Sequence, residues 1–205
     1  MAVLVENCRP KLFRSLSDLS LDENYVDKKW LSQRAVLAPK NVAVNAINDK
    51  LLQRLKQEEK VYQSMDCITE AEEKVYYTTE VLNSLEPSGV PPHKLSLKVT
   101  SPIMLLRNLN PPQLVNGTRL VVRDLLSNVI VATILGGKHD GETVLIPRIH
   151  FTPDKSEYPF SFRRTQFPVR LAFAMTINKS QGRPKNIINN AVNQSFSINA
   201  FQAKV

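Results

Sequence analysis

The chain has 205 residues, a hydrophobic content of 42% and a formal net charge of +8 at neutral pH. This length suggests one or two domains with a real core, and the basic balance favours an anionic partner, although a basic surface without a partner fits the same numbers. The two cysteines form no CxxC pair and the three histidines are scattered, so we expect neither a zinc site nor a disulfide framework. No apolar run reaches roughly eighteen residues, so we expect no membrane partner.

The positive charge is concentrated in the middle of the chain. Residues 94–170 contain eleven Lys or Arg against five Asp or Glu, a net of +6, whereas residues 47–82 have a net of −3. An anionic ligand is therefore expected to contact the middle segment.

The first clear pattern along the chain is a strand, a turn and a helix. Residues 35–38 are apolar and Pro39 ends the strand, after which Asn41 is a suitable N-cap. Apolar residues then recur at helical spacing: Val44, Ile47, Leu51, Leu52 and Leu55. The turn of Pro39, Lys40 and Asn41 would lie at the carboxyl end of the strand beside a helix N-terminus, a natural place for an anion, although an ordinary turn also fits.

A series of short strands is predicted after a charged stretch. Residues 57–80 have the composition of a solvated surface segment, with strand fragments at 61–62 and 75–77 as the alternative. Alternation then begins at Leu95, and further β runs follow at 103–106, 119–124, 129–135 and 143–149. Because their connections are too short for parallel crossovers, we expect a small antiparallel barrel.

Two stretches near the end carry polar groups of interest. In residues 158–167 aromatics alternate with Arg163 and Arg164, a pattern that suits stacking on unpaired bases or packing of the barrel against an α/β core. Residues 171–182 are typical of a buried strand that delivers polar groups to its carboxyl end. These groups are the hydroxyls of Thr176 and Ser180, the Lys179 charge, Gln181 and the flexible Gly182. A strand with a plain polar turn is the alternative.

Several of these segments resemble one known family. Residues 176–182 resemble motif V of superfamily 1 helicases, and the longer run 166–182 is similar to the petite-integration-frequency (PIF-like) family of ATP-dependent DNA helicases. Residues 37–41, with Val44, Ile47 and Asn48, resemble motif IV of that family, where many members have Thr in place of Lys40. Residues 82–85, 89–95, 102–109 and 116–119 resemble the SH3-like insert called subdomain 2B.

The resemblance implies an α/β fold in which a partial RecA-like domain is interrupted by a small SH3-like β-barrel. The implied divisions are an uncertain lead-in (1–29), the first RecA-like part (30–80), the insert (81–163), the return strand (164–182) and a divergent tail (183–205). It also implies contact with single-stranded DNA or nucleotide through the motif V and motif IV residues. The basic residues expected beside the DNA are Arg107, Arg119, Arg123, Lys138, Arg148, Arg163 and Arg164.

Parts of the family pattern are absent from this sequence. There is no GxxxxGK[ST] phosphate loop, acidic metal motif or final arginine motif, and the likeness ends at Gly182; a truncated gene, a splice form and a gene-model error would each explain this. The intact family uses ATP and Mg, whereas we expect no cofactor, metal or catalytic residue in this chain alone, and an N-terminal RecA-like domain as its natural partner.

Two functional hypotheses follow from these features. The first is part of the C-terminal half of a 5′-to-3′ helicase, inactive alone and nuclear, with mitochondria as the alternative location. The second is a non-enzymatic DNA-binding or assembly module, including one from a rolling-circle transposon helicase.

Overall fold

The computed structural model describes residues 2–4, 35–38, 40–69, 76–154 and 157–176. Of the sequence-predicted site residues, Pro39, Lys179, Ser180, Gln181 and Gly182 lie outside these ranges. In chain order the elements are β1 (Ala2–Leu4), β2 (Ala35–Ala38), α1 (Asn41–Arg54), β3 (Glu59–Gln63), β4 (Met65–Ile68), α2 (Thr79–Ser84), β5 (Lys94–Lys98), β6 (Pro102–Leu105), β7 (Arg119–Leu125), β8 (Val129–Ile134), β9 (Thr143–Pro147), β10 (Ile149–Phe151), β11 (Phe162–Gln166), β12 (Val169–Leu171) and β13 (Ala174–Thr176).

The α/β part is a three-stranded parallel sheet with β2 in the centre, between β1 and β13. Helix α1 follows β2 directly and buries one face against the sheet. The shared apolar cluster contains Val36, Ala38, Val44, Ile47, Leu51, Leu52, Leu55, Phe173 and Ala174. The predicted strand 35–38 and the predicted helix are therefore confirmed, because their apolar spacing matches the face that is buried.

The start of α1 differs from the prediction by one residue. Lys40 is the N-cap, with an extended backbone and no capping side-chain hydrogen bond, and Asn41 is the first helical residue. The reason is that the backbone N–H of Val44 donates to the carbonyl of Lys40 at 3.1 Å, which closes the first turn there.

The antiparallel part contains a five-stranded sheet in the order β12-β6-β7-β8-β9 and the pair β3-β5. Their inward side chains make one apolar core that includes Tyr62, Leu97, Leu120, Ile130 and Phe167. The strands predicted from alternation are confirmed. The β8–β9 hairpin turns at Gly136 and Gly137, whose φ angles of 80° and 81° suit glycine.

The barrel sheets extend beyond the predicted insert, 81–163, at both ends. Before it, β3 pairs with β5 and β4 pairs with β11, so the alternative strand fragment at 61–62 is confirmed and the preferred prediction of a solvated segment at 57–80 is wrong for the buried Tyr62 and Ile68. The other fragment, 75–77, lies partly outside the described residues. Only Tyr62 of β3 is fully buried, and a single inward residue leaves no periodic signal in the sequence. After it, β12 pairs with β6 of the barrel, whereas β13 pairs with β2. The apolar run at 171–175 thus contributes residues to two sheets, and Ala172 and Phe173 form the link between β12 and β13.

A second, smaller apolar cluster lies under the sheet β10-β11-β4 and helix α2. Phe160 and Phe162 are buried there with Ile68 and Leu82, and the rings of Tyr158 and Phe160 are 6.0 Å apart. These aromatics are therefore packing residues. Their partners are β4 and α2 rather than the α/β core that the sequence suggested.

Two general features of the described ranges bear on function. Neither of the helices there is long and apolar enough to cross a membrane. Among the same residues, no three His, Cys, Asp or Glu side chains come together as metal ligands.

Candidate nucleic-acid interface

The two predicted site segments meet at one edge of the parallel sheet. Thr176, at the end of β13, is in register with Ala38, at the end of β2, and the strands run in the same direction. Lys40 and Asn41 come directly after β2 and are exposed, while Thr176 is half-buried. The carboxyl edge of this sheet thus carries an ammonium group, an amide, a hydroxyl and the start of a helix, a combination suited to phosphate.

Asn48 holds this edge together, and the sequence pattern predicted no such role for it. Its Oδ1 accepts a hydrogen bond from the Ala174 backbone N–H at 2.8 Å, and its Nδ2 donates to the carbonyls of Leu171 and Ala174, both at 3.3 Å. Helix α1 is therefore tied to both sides of the short link between β12 and β13. The sequence did contain a signal for this role, because Asn48 is a polar residue on the apolar face of a helix. Buried polar side chains almost always have hydrogen-bond partners.

Arg164 is a structural residue rather than a surface contact. Its side chain is 0% exposed and pairs with the equally buried Asp66, with Nη2 to Oδ2 at 2.7 Å and Nε to Oδ1 at 3.0 Å. The remaining guanidinium hydrogens go to backbone carbonyls of Leu82, Leu85 and Pro91. The interpretation of Arg164 as a DNA contact is thus corrected, because no face of its guanidinium is open.

Arg119 is likewise enclosed. It is 4% exposed, and its Nη2 lies 3.5 Å from the carbonyl of Ala172 in the link between β12 and β13. A side chain in this position stabilises the joint between barrel and parallel sheet. It is not accessible to a phosphate, so this second interpretation is corrected as well.

Arg148 is half-buried and anchored on the barrel. Its guanidinium carbon lies 4.8 Å from the ring centre of Phe167 and 5.6 Å from that of Tyr62, and its Nη1 donates to the Gln63 carbonyl at 2.8 Å. Cation–π stacking of this kind fixes the side chain, and part of it still faces solvent. Burial raises the pKa of the neighbouring Tyr62 hydroxyl to about 12, and that hydroxyl donates to the Leu126 carbonyl at 2.6 Å.

The remaining basic candidates of the barrel are exposed. Arg123 lies at a β-bulge between Val122 and Asp124, and its Nε donates to Thr133 at 3.2 Å. A bulge turns a side chain away from the regular alternation of the strand. Lys138 is at the tip of the β8–β9 hairpin, and Arg107 lies 5.6 Å from the ring centre of Phe151.

Arg163 belongs to the outer face of the sheet β10-β11-β4. There it is in register with the exposed Cys67, beside the exposed Met65 and His150. This face carries no acidic side chain from the three strands, since Asp66 is turned inward to Arg164. Arg163 is therefore free to meet an anion, unlike its neighbour in sequence.

The buried pair at Arg164 extends into a small polar network. The hydroxyl of Ser64 lies 2.7 Å from Asp66 Oδ1 and 2.8 Å from His93 Nδ1. Burial lowers the pKa of His93, although the Asp66 carboxylate acts in the opposite direction. The network satisfies polar groups where strand β4 meets the loop before β5, and this is a stabilising role.

Comparison with known proteins gives this geometry a family context. Residues 80–125 match the family described as "DNA helicase Pif1, 2B domain". A curated relative, the "ATP-dependent DNA helicase Pif1" of Bdellovibrio bacteriovorus, is 30% identical over 146 residues. The chain is similar to the C-terminal part of Pif1-like helicases. The family resemblance predicted from the sequence is thereby confirmed.

The Pif1 relatives are longer than this chain. The aligned region is 71% of this chain but 30% of the Bdellovibrio protein. The chain thus covers under a third of that curated relative.

Solved Pif1 structures confirm the fold. The Pif1 helicase of Candida albicans matches with a TM-score of 0.54 at 24% identity, over 79% of this chain and 42% of that one. Bacteroides Pif1 bound to ssDNA matches with a TM-score of 0.52 at 22% identity, over 86% of this chain and 41% of that one. The predicted α/β class, with a partial RecA-like domain and a barrel insert, is therefore confirmed.

Proposed function

We propose that this chain is the single-stranded-DNA-contacting part of an ATP-dependent helicase of the Pif1 type. The observation that carries the proposal is the register of Thr176 with Ala38, which brings the motif IV and motif V segments to one edge of the sheet. A barrel from the net +6 segment is inserted between these two strands. DNA following that edge would meet Lys40, Asn41 and Thr176, with Lys179 to Gly182 continuing from Thr176.

Phosphate contacts would come from the exposed cations of the barrel. Arg107 and Arg163 are the best candidates, because both are exposed and neither guanidinium has a hydrogen-bond acceptor among the described residues. Arg123, Arg148 and Lys138 are secondary, since the first two donate to neighbours and the last is at a hairpin tip. Such contacts position the strand without reading its sequence.

Binding of fluorescently labelled oligothymidylate, followed by anisotropy over a range of salt concentrations, tests this proposal. Removal of one phosphate-binding side chain should reduce the slope of log affinity against log salt by about 0.7. We expect Arg107→Gln with Arg163→Gln to reduce that slope by about 1.4. The control is Arg54→Gln with Lys56→Gln, which removes the same charge from the exposed end of α1. Equal reductions in both variants would count against the barrel as the DNA surface.

The motif V residues need a separate test. Lys179→Ala with Ser180→Ala should weaken oligothymidylate binding more than Lys28→Ala with Lys29→Ala, because only the first pair lies in the run that continues from β13. Equal effects of the two double variants would contradict the assignment of this segment.

The proposal includes dependence on an N-terminal RecA-like motor domain as the partner of this chain. Hydrolysis of ATP with Mg requires a phosphate loop, a metal-holding carboxylate and usually an arginine finger, and the sequence has no phosphate loop motif. We expect no DNA-stimulated ATP turnover by the purified chain. Turnover that Lys179→Ala abolishes would contradict this expectation.

The direction of translocation and the cellular location are further parts of the proposal. In a protein that joins this chain to an N-terminal RecA-like domain, we expect unwinding of duplexes with a 5′ tail and none with a 3′ tail. Imaging of the tagged protein should find it in the nucleus, or in mitochondria as the alternative. Unwinding from a 3′ tail would refute the proposed polarity.

A DNA-binding or assembly module without motor function is the second candidate. The specific observation in its favour is that the barrel has an apolar core of its own, distinct from the cluster under α1. Addition of the N-terminal RecA-like domain distinguishes the two. DNA-stimulated ATP turnover in the mixture supports the helicase, and DNA binding without turnover supports the module.

A further inference from the structure

A cleft of about 500 Å³ lies between the parallel-sheet part and the barrel. One wall is the polar side of helix α1, including Asn41 and Asn45, and the other is the proline-rich loop 86–92. Arg170 of strand β12 also lines it. A cavity of this size holds a small ligand.

Arg170 is in an unusual state for a guanidinium. Its Nε and Nη2 atoms are buried and have no hydrogen-bond partner among the described residues. The cleft also contains Asp49 and Glu86, yet neither forms an ion pair with Arg170 in the structure. Unpaired buried donors on a charged group are costly, and burial lowers the pKa of this side chain.

The position of Arg170 explains why it is available. Val169, the preceding residue in β12, is buried in the barrel core, and strand alternation turns Arg170 away from it, so that Arg170 lines the cleft together with residues of α1. Its register partner on β6 is Met104, whose thioether is at most a weak acceptor. The sequence signal was a single charged residue inside an apolar run, a feature that the motif V resemblance does not explain.

We propose that this cleft is a binding site for a compact phosphate group, with Arg170 as the anchor. The Nε and Nη2 edge of a guanidinium matches two oxygens of a phosphate, and turning the flexible side chain into the cleft exchanges two unpaired donors for two charged hydrogen bonds. The exposed amides of Asn41 and Asn45 add neutral donors on the facing wall.

The charges around the cleft select for a small anion. Asp49, Glu86 and Lys94 line the cleft beside Arg170, so the charges around Arg170 sum to −1 and those of the whole cleft sum to zero. A chain of phosphates would pass the two carboxylates, whereas inorganic phosphate or the phosphate of a mononucleotide needs only the space at Arg170. The ligand of this site therefore differs from the DNA strand proposed above, although Asn41 borders both.

Calorimetric titration of the chain with inorganic phosphate, at constant ionic strength, tests the site. We expect Arg170→Gln to weaken phosphate binding at least about tenfold, the value of one charged hydrogen bond. Arg54→Gln, which replaces an exposed arginine on helix α1, is the matched control and should bind phosphate like the natural chain. Equal affinity in the Arg170 variant would overturn the proposal.

A stability measurement covers the case in which the variant is impaired in folding. Without phosphate, Arg170→Met should melt at or above the temperature of the natural chain, because two buried donors that lack partners among the described residues have been removed. Phosphate should raise the melting temperature of the natural chain and leave that of Arg170→Met unchanged. A lower melting temperature of the variant, or an equal response of both to phosphate, would contradict an anion site.

Competition identifies the source of the phosphate. Displacement of inorganic phosphate by a mononucleotide, but not by oligothymidylate, supports a site for compact anions. Displacement by oligothymidylate would overturn it, whatever the outcome of the DNA-binding experiments.

Discussion

Replacement of Arg164 by Ala should destabilise the protein more than any change on the barrel surface. The substitution leaves the Asp66 carboxylate, now at 0% exposure, with the Ser64 hydroxyl as its one remaining side-chain partner among the described residues. It also removes the donor from the carbonyls of Leu82 and Pro91, which Arg164 reaches at 2.9 and 3.2 Å. The change therefore leaves a buried charge and several buried acceptors without their partner at once.

The size of the effect follows from these hydrogen bonds. Breaking a buried ion pair by removing one partner costs about 3–5 kcal/mol, and water entering the vacated space can satisfy some of the carbonyls. We take about 4 kcal/mol as the expected decrease, against a total unfolding free energy of about 5–15 kcal/mol. With a urea slope of about 2 kcal/mol per molar, the unfolding midpoint should fall by about 2 M.

Urea unfolding followed by circular dichroism measures this shift. Arg163→Ala is the control, since that side chain is next in sequence but exposed. Arg164→Lys keeps the positive charge but loses the planar guanidinium group. Its unfolding midpoint should lie between those of Arg164→Ala and Arg163→Ala. A midpoint for Arg164→Ala no lower than that of Arg163→Ala would refute the reasoning. DNA affinity of folded Arg164→Lys should be unchanged.

Three further predictions concern other described residues. Asn48→Ala should lower the unfolding free energy by about 2–3 kcal/mol in the same assay, because it removes hydrogen bonds to buried backbone groups; a change near zero would contradict its role as the link between α1 and the return strands. Tyr62 has a folded pKa of about 12, above its ordinary value of 10.0, so the stability from its neutral form is present below pH 10 and is lost as the pH rises through 12. Tyr62→Phe should remove this part of the alkaline destabilisation, and an unchanged alkaline profile would contradict it. Thr100 has a φ angle of 72°, a conformation that glycine adopts more easily than threonine. Thr100→Gly should therefore leave the unfolding free energy equal or raise it by up to about 1 kcal/mol, despite the usual entropic cost of glycine. A clear decrease would show that this conformation is unstrained.

Local pattern was sufficient for most elements of this fold. Helix α1 and strands β2 and β5 each bury residues at regular spacing, and β7 begins with four buried residues in a row, so apolar patterns mark all four elements in the sequence. Strand β3 was expected only as the alternative fragment at 61–62, because Tyr62 is its only fully buried residue and gives no repeating pattern. The run at 171–175 resembles a single strand because nothing in its composition marks the change of sheet at Ala172 and Phe173.

The sequence predicted where the candidate site lies better than it predicted which side chains are exposed there. The family motifs located the edge that carries Lys40 and Thr176, and strand direction alone brings those ends together. Spacing could not distinguish Arg163 from Arg164, because in a strand one of two neighbours faces inward and the register decides which. Arg164 faces inward because Asp66, in register with it on β4, is the available carboxylate.

The register of β13 with β2 has a consequence for the order of folding. Asn48 and Ala174, which hydrogen-bond at this junction, are 126 residues apart in the chain. A contact so distant in sequence forms late, because the closure entropy of the intervening chain opposes it until that chain is compact. The barrel hairpins are local and can form first, and they bring the chain leading to β13 back toward β2. Folding of the sheet edge that carries Lys40 and Thr176 is thus expected to wait for the insert, so a barrel that folds slowly should delay the joining of β13 to β2.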